Sequence, residues 1–392
     1  MLTPSLPGSG VSVLGFVERI FDALPRVDQR RWAHVYLRSM LSTPGRKSVR
    51  RLAAGAEDAP RVLQSLHQFI NGSPWEWAPV RAELAQWTGQ GLAARALVID
   101  TAVLRKRGEH SCGVHRRFVP ATGRSVTCQV GVGAFLATLE EAVPVDWRLL
   151  LPASWTEDAE RRERTRIPDE VGRCSVARQA LDLVDAVAAS GSAPVPVVAD
   201  FSGEGGAEAL VHGLGLRKRD FVVAVPGGLR VTAGGRSGVL PQRSGAAQPA
   251  ATEARALLPG GRADAAGQSA VVSRAGQSRV VTVLGGTVGL AGAPGGPRQY
   301  RLFSVRTPGS RGQARLWLTN LTHARPESLC DLTLHHAVAQ RTTARLEADF
   351  GLADFEGRSF PGWHHHMTMV SAAYAYQRLG RGAAAEPLAA AG

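Results

Sequence analysis

Cysteine is the first scarcity. The 392-residue chain has four, Cys112, Cys128, Cys174 and Cys330, and no two of them form a C-x-x-C pair. That spacing excludes a zinc knuckle and a disulfide framework, so the four read as buried thiols of a reducing cytoplasm. Long apolar runs are missing too: no stretch reaches the roughly 18 residues that a membrane helix needs. The opening MLTPSLPGSG has neither a charged n-region nor an apolar h-region. The expectation is a protein that neither spans a membrane nor is secreted. Charged residues are few, at 20% beside 44% hydrophobic, which excludes an intrinsically disordered chain and indicates a folded globular one. The length allows one large core, or a core with smaller attached domains.

The charge that is present leans one way. Lys and Arg number 46 against 33 acids, a formal net charge of +13. Polyanions are the natural partners of such a chain and nucleic acid is the first candidate, although an arginine-rich proteome would leave the same surplus. The surplus is dense between residues 26 and 51, where Arg26, Arg30, Arg31, Arg38, Arg46, Lys47, Arg50 and Arg51 face a single acid, Asp28. Such density on short helices suits phosphate contacts, whose strength comes from counterion release. A solvated basic face is the plainer alternative.

Residues 1–10 are rich in Pro, Gly and Ser and are expected to be disordered. Helical spacing then sets in, with Phe16, Val17, Ile20, Phe21 and Leu24 on one face and Trp32, Val35, Tyr36 and Met40 on the next. Together with short helices over 48–54 and 62–70 this predicts an α-helical domain at 11–90. Trp75 and Trp77 within it read as packing anchors more than as base-stacking platforms.

After Ala96 the period becomes that of strands, at 97–100, 113–119 and 126–136, with 143–151 as an extension or an edge. A charged stretch at 156–166 precedes a helix at 176–189, a strand at 196–200, a helix at 208–214 and a strand at 221–225. Alternation of this kind predicts an α/β core with some parallel pairing, its first part at 95–227. Residues 228–299 are dense in Gly and Ala with weak strand signals, and a structureless loop of that length is improbable. A β-rich insertion with flexible ends is expected there. The core resumes over 300–380, with strands at 300–305 and 316–321 and helices at 326–350 and 363–379. A low-complexity tail, 381–392, follows.

Two of these strands end on an acid: Leu97-Val98-Ile99-Asp100 and Pro196-Val197-Val198-Ala199-Asp200. The ends of central strands are where such sheets present chemistry. Phosphodiester cleavage needs an activated oxygen nucleophile and a stabilised leaving oxygen, and a pair of Mg²⁺ or Mn²⁺ ions held by carboxylates supplies both. The histidines at 335–336 and 364–366 are weaker metal candidates, because adjacent residues on a helix diverge and chelate poorly.

Here a resemblance becomes specific. The segments LVIDTAVLRKRGEHSCGVHRRF, CQVGVGAFLA, VDWRLLLPASWTEDAERRERTRIP, VPVVADFSG, DFVVAVPG and FGLADFEGRSFPGWHHHMTMVSAAYAYQRL resemble those of IS701-type DDE transposases, as do RRWAHVYLRSMLSTPGRKSVRRLA and SLHQFINGSPWEW nearer the start. The resemblance covers most of the chain and implies a ribonuclease-H-like core with a β-rich insertion. It also implies double-stranded DNA as partner and Mg²⁺ or Mn²⁺ as cofactor if the chain is active. By position Asp100 and Asp200 match the first two catalytic, metal-holding acids, although Phe201-Ser202-Gly203 departs from the usual following residues.

The third acid falls on Gln340, with His336-Ala337 where the family has Arg-Trp and Glu347 where it has Lys. An amide keeps a neutral carbonyl oxygen but loses the charge that helps hold a divalent cation. Glu347 lies about 10.5 Å further along the helix, so it shares the face of Gln340 without sharing its position. The leading reading is a DNA-binding protein of this family with impaired strand cleavage and transfer. In it Arg30, Arg31, Arg46, Lys47, Arg50, Arg51, Arg105, Lys106, Arg107, Arg116 and Arg117 grip DNA phosphates, in a cytoplasmic, nucleoid-associated protein. An active enzyme using Gln340, Glu347 or Glu204, and a domesticated non-catalytic regulator, are the alternatives. A homodimer is left open.

Overall fold

The computed structural model describes residues 10–119, 123–233, 251–258, 267–274, 277–291, 299–306 and 315–380. The leader and tail for which disorder is expected fall almost entirely outside the described residues, as do 234–250 of the Gly/Ala-dense segment.

Five helices come first: α1 (Val13–Ile20), α2 (Val27–Ser42), α3 (Val49–Ala53), α4 (Ala59–Asn71) and α5 (Trp77–Gly91). Ser12, Ser48 and Asp58 start α1, α3 and α4, their side-chain oxygens accepting from otherwise unpaired backbone N–H groups of the first turn. The apolar stripes are the buried faces, with Phe16, Val17 and Ile20 on α1 and Tyr36, Leu37 and Met40 on α2.

A mixed sheet follows. Its first strands are β1 (Ala96–Arg105), β2 (His115–Val119), β3 (Arg124–Ala137) and β4 (Ala142–Leu149). Short helices α6 (Ala153–Thr156) and α7 (Ala159–Thr165) occupy the charged stretch, then come α8 (Val176–Ala189), β5 (Val197–Asp200), α9 (Ala207–Leu216) and β6 (Phe221–Val225). β1 runs antiparallel to β3 and parallel to β5, β5 runs parallel to β6, and β4 lies antiparallel on β3. Ala96 to Ile99 show no polar alternation, which suits a strand covered on both faces, and all four are buried.

The remaining elements are β7 (Arg230–Ala233), β8 (Thr252–Glu253), α10 (Ala254–Leu257), β9 (Gly267–Arg274), β10 (Gln277–Leu290), β11 (Tyr300–Arg306), β12 (Leu316–Thr319), α11 (Pro326–Asp349) and α12 (Phe360–Ala375). β12 and β11 continue the same sheet beyond β6, and strands of the Gly/Ala-dense segment extend it further, in the order β6-β12-β11-β10-β7-β8. Sequence spacing gave only weak strand signals for β9 and β10, whose pairing with one another runs from Gln277 opposite Arg274 to Leu284 opposite Gly267.

α11 and α12 cover the sheet. Asp100 pairs across the ladder with Gly133 and Ala102 with Gly131, so these four share a face. A Cβ on Gly133 would come within 2.7 Å of the Trp147 ring, and one on Gly131 within 3.3 Å of both Trp147 and Trp363. Glycine there lets Trp147 lie on the sheet beneath α12, its indole N–H donating to Ser371 Oγ at 3.0 Å. α11 packs on β1 and β5 beside it.

The buried residues form one continuous cluster from Phe16 to Tyr376, joining the N-terminal helices to α12 and the sheet. At that joint lies a buried cation, Arg81 of α5. It donates to Thr368 Oγ1 at 2.7 Å, Asp146 Oδ1 at 2.8 Å, and the carbonyls of Trp147 and His364 at 2.6 and 2.7 Å. The 364–366 histidines are packing groups of the same joint. His365 stacks on Trp75 at 3.9 Å and His364 on Trp77 at 4.5 Å, while His366 Nε2 lies 2.9 Å from the Gly351 carbonyl.

Candidate active site

Parallel pairing sets Ile99 beside Ala199, so the next residues, Asp100 and Asp200, emerge side by side from neighbouring strands. β5 ends at Asp200 while β1 runs on to Arg105. Asp200 Oδ1 accepts from the Ser202 N–H at 2.9 Å and its hydroxyl at 2.6 Å, which turns the chain sharply out of the strand. Asp100 Oδ1 accepts from the Thr101 N–H at 2.9 Å. Both carboxylates are largely sheltered, at 13% and 15% exposure.

Two further side chains reach this pair. His336, on α11 and 2% exposed, sets Nε2 3.3 Å from Asp100 Oδ1. Arg315, the residue before β12, sets one guanidinium nitrogen 3.1 Å from Asp200 Oδ2 and 3.5 Å from His336 Nδ1. Its guanidinium also lies over the Trp317 ring, 5.8 Å from the centroid. The network assigns the tautomer: arginine has only donors, so Nδ1 accepts and Nε2 carries the proton offered to Asp100. The result is a continuous bridge, Asp100–His336–Arg315–Asp200.

Sequence reasoning missed both bridging residues. His336 is legible there as a departure from an expected Arg, and Arg315 carries no local signal beyond preceding a strand. Gln340, the position matched to the third acid, is exposed. It lies four residues beyond His336, about 6 Å further along the axis of α11. Glu347 is exposed at its surface and further still, its carboxyl pushed up by desolvation from the protein around it and held back by the charge of Arg105. Glu204 forms an ion pair with Arg117 of β2.

The donor set does not fit a pair of divalent cations. Two carboxylates and one imidazole converge with a guanidinium between them, and among the described residues no three His, Cys, Asp or Glu side chains are grouped to hold a metal ion. Each such cation needs several oxygen ligands, and here one acid already has a cation on it.

The basic residues read as phosphate contacts separate into two sets. Arg31, Arg50, Arg105, Arg107 and Arg116 are exposed. Others are committed to the protein itself. Lys47 is buried with its ammonium donating to the Thr43 carbonyl, which corrects its reading as a surface contact: burial turns the charge inward to close the turn before α3. Lys106 donates to the carbonyls of Ala353 and Phe355 at 2.9 and 2.8 Å, and burial pulls its ammonium down to about 8. That also makes it a structural tether. Arg30 donates to the Leu24 carbonyl, Arg51 to the Pro44 carbonyl, and Arg46 pairs with Asp354 and Glu356.

No helix among the described residues is long and apolar enough to cross a membrane. No curated protein matches the chain. A family model described as DDE superfamily endonuclease matches residues 19–287, a span that takes in Asp100 and Asp200 and stops short of Arg315, His336 and Gln340. With well over half of its length matched and Asp100 and Asp200 side by side inside that span, the chain belongs to the DDE superfamily endonucleases.

Proposed function

We propose that the chain is a transposase-family DNA-binding protein of the IS701 type whose strand cleavage and transfer are impaired. DDE superfamily endonucleases generally use divalent metals such as Mg²⁺, and the family implies a DNA substrate. The strand order β4-β3-β1-β5-β6, with β3 reversed, supports reading the core as ribonuclease-H-like. On this reading residues 11–90 form the helical DNA-gripping part, 228–299 the β-rich insertion, and 95–227 with 300–380 the core. Arg31, Arg50, Arg105, Arg107 and Arg116 supply phosphate contacts. The protein acts in the cytoplasm on nucleoid DNA, as a monomer or homodimer.

The impairment rests on one observation. The α11 side chain that meets Asp100 is His336, whereas Gln340 points to solvent a turn away. Two acids without a third lack the charge to hold the cations that activate water and stabilise the leaving oxygen. The test is a Mg²⁺-dependent cleavage assay on duplex DNA bearing terminal inverted repeats. The expected result is retention of the DNA with no cut product. Cleavage that disappears in Asp100→Ala and Asp200→Ala would overturn the proposal.

A further inference from the structure

We infer that Arg315, steadied by His336, is a built-in cation that occupies the ground a divalent metal would take between Asp100 and Asp200, so that this site is closed by the protein's own charge. The inference deepens the reading of the chain as an impaired transposase and rests on it.

Two carboxylates projecting side by side from adjacent strands, each mostly sheltered from water, repel one another and need a positive charge nearby. In a metal-dependent site that charge is the ion. Here the guanidinium of Arg315 supplies it, 3.1 Å from Asp200 Oδ2, and passes a hydrogen bond through His336 to Asp100. A Mg²⁺ or Mn²⁺ ligated by the same Oδ2 on the side facing Arg315 would sit about 2.1 Å from it, in space already filled by the guanidinium nitrogen. Asp200 has both oxygens engaged, Oδ1 by Ser202 and Oδ2 by Arg315.

The bridge is assembled from distant parts of the chain. Arg315 stands immediately before β12, which pairs with β6 in register Leu316 to Val225, and β6 in turn pairs with β5. Trp317, two residues on and buried, gives the guanidinium a ring to lie against. His336 is held by α11, whose buried face includes Leu332, Val338 and Ala339. His336 and the two acids are set by packing that does not depend on a metal, while Arg315, 43% exposed, is held by Trp317 and by its pairing with Asp200.

The test is calorimetric titration of the full chain with Mn²⁺, without DNA, paired with thermal unfolding in Mn²⁺ and in chelator. Wild type is expected to show no saturable site at millimolar Mn²⁺ and no chelator-dependent change in Tm. Arg315→Gln is expected to gain at least tenfold in Mn²⁺ affinity with a Mn²⁺-dependent rise in Tm, both lost when Asp200→Asn is added. A wild-type site abolished by Asp200→Asn overturns the inference, and so does a folded Arg315→Gln chain that gains no affinity. Arg315→Met, which keeps an apolar stem against Trp317, replaces Arg315→Gln if that chain fails to fold. Should neither fold, wild type against Asp200→Asn decides by the same criterion. Because no DNA is present, these outcomes are independent of the cleavage assay, which tests the impaired-transposase reading by itself.

Discussion

Asp100 and Asp200 owe their proximity to register, and His336 owes its contact to the pitch of α11. A substitution at the aligned third position is therefore a poor repair. Gln340→Glu adds a carboxylate that is exposed and about 6 Å along the helix from the residue facing Asp100. In the cleavage assay on inverted-repeat DNA, Gln340→Glu is expected to stay at the level of the uncatalysed control. Cut product from that single change would mean that α11 shifts by a turn when DNA binds. Arg315 would still stand on Asp200, which is why the defect is one of a whole segment rather than of one letter.

Between elements, the joint of α5, β4 and α12 depends on Arg81. Its guanidinium is buried and pulled down to about 10 by desolvation, yet remains charged at neutral pH because Asp146 and three further acceptors surround it. Breaking a buried pair from one side typically costs about 3–5 kcal/mol, since the partner charge is left uncompensated. Arg148, partly exposed, also reaches Asp146 at 2.9 Å and softens the loss. Arg81→Leu is expected to destabilise the chain by roughly 3 kcal/mol, read as a lower urea midpoint at unchanged slope. A midpoint within error of wild type would show that the joint is held by the Trp147 and Trp363 packing instead.

Across the whole molecule, the buried histidines couple stability to acid. Burial and the nearby Lys106 charge push His366 down to about 4, and burial with the Arg81 charge pushes His364 well down too. Both are neutral in the fold, whereas in the unfolded chain they protonate near the ordinary value of about 6.5. Between about pH 4 and 6.5 the unfolded chain therefore binds more protons than the native one. The stability contributed by His366 is complete above about pH 6.5 and falls as the pH drops toward 4, by about 1.4 kcal/mol per unit, and His364 acts in the same direction. Urea midpoints measured across that range should decline toward acid, and His366→Gln should flatten the decline. An equal slope in the variant would mean that His366 is protonated in the native state.

Much of the scaffold was legible because its signals are local. The strand that ends at Asp200, the start of the strand that carries Asp100, the helical stripes of α1 and α2, and the two C-terminal helices follow from periodicity within a few turns of chain, whereas the continuation of β1 past Asp100 to Arg105 does not. What sequence could not reveal was any relation set by burial or by distant pairing. Lys47 and Lys106 look like surface charges until packing turns them onto carbonyls, and Arg81 is an ordinary helix arginine until α12 closes over it. Arg315 and Asp200 are far apart in the chain and meet because β12 joins a sheet whose order only the fold defines. Sequence determined which residues could do chemistry, since residue type and local period are properties of short segments. Tertiary structure decided which charges face one another, because that depends on the register of strands and the rotation of helices, which no short segment contains.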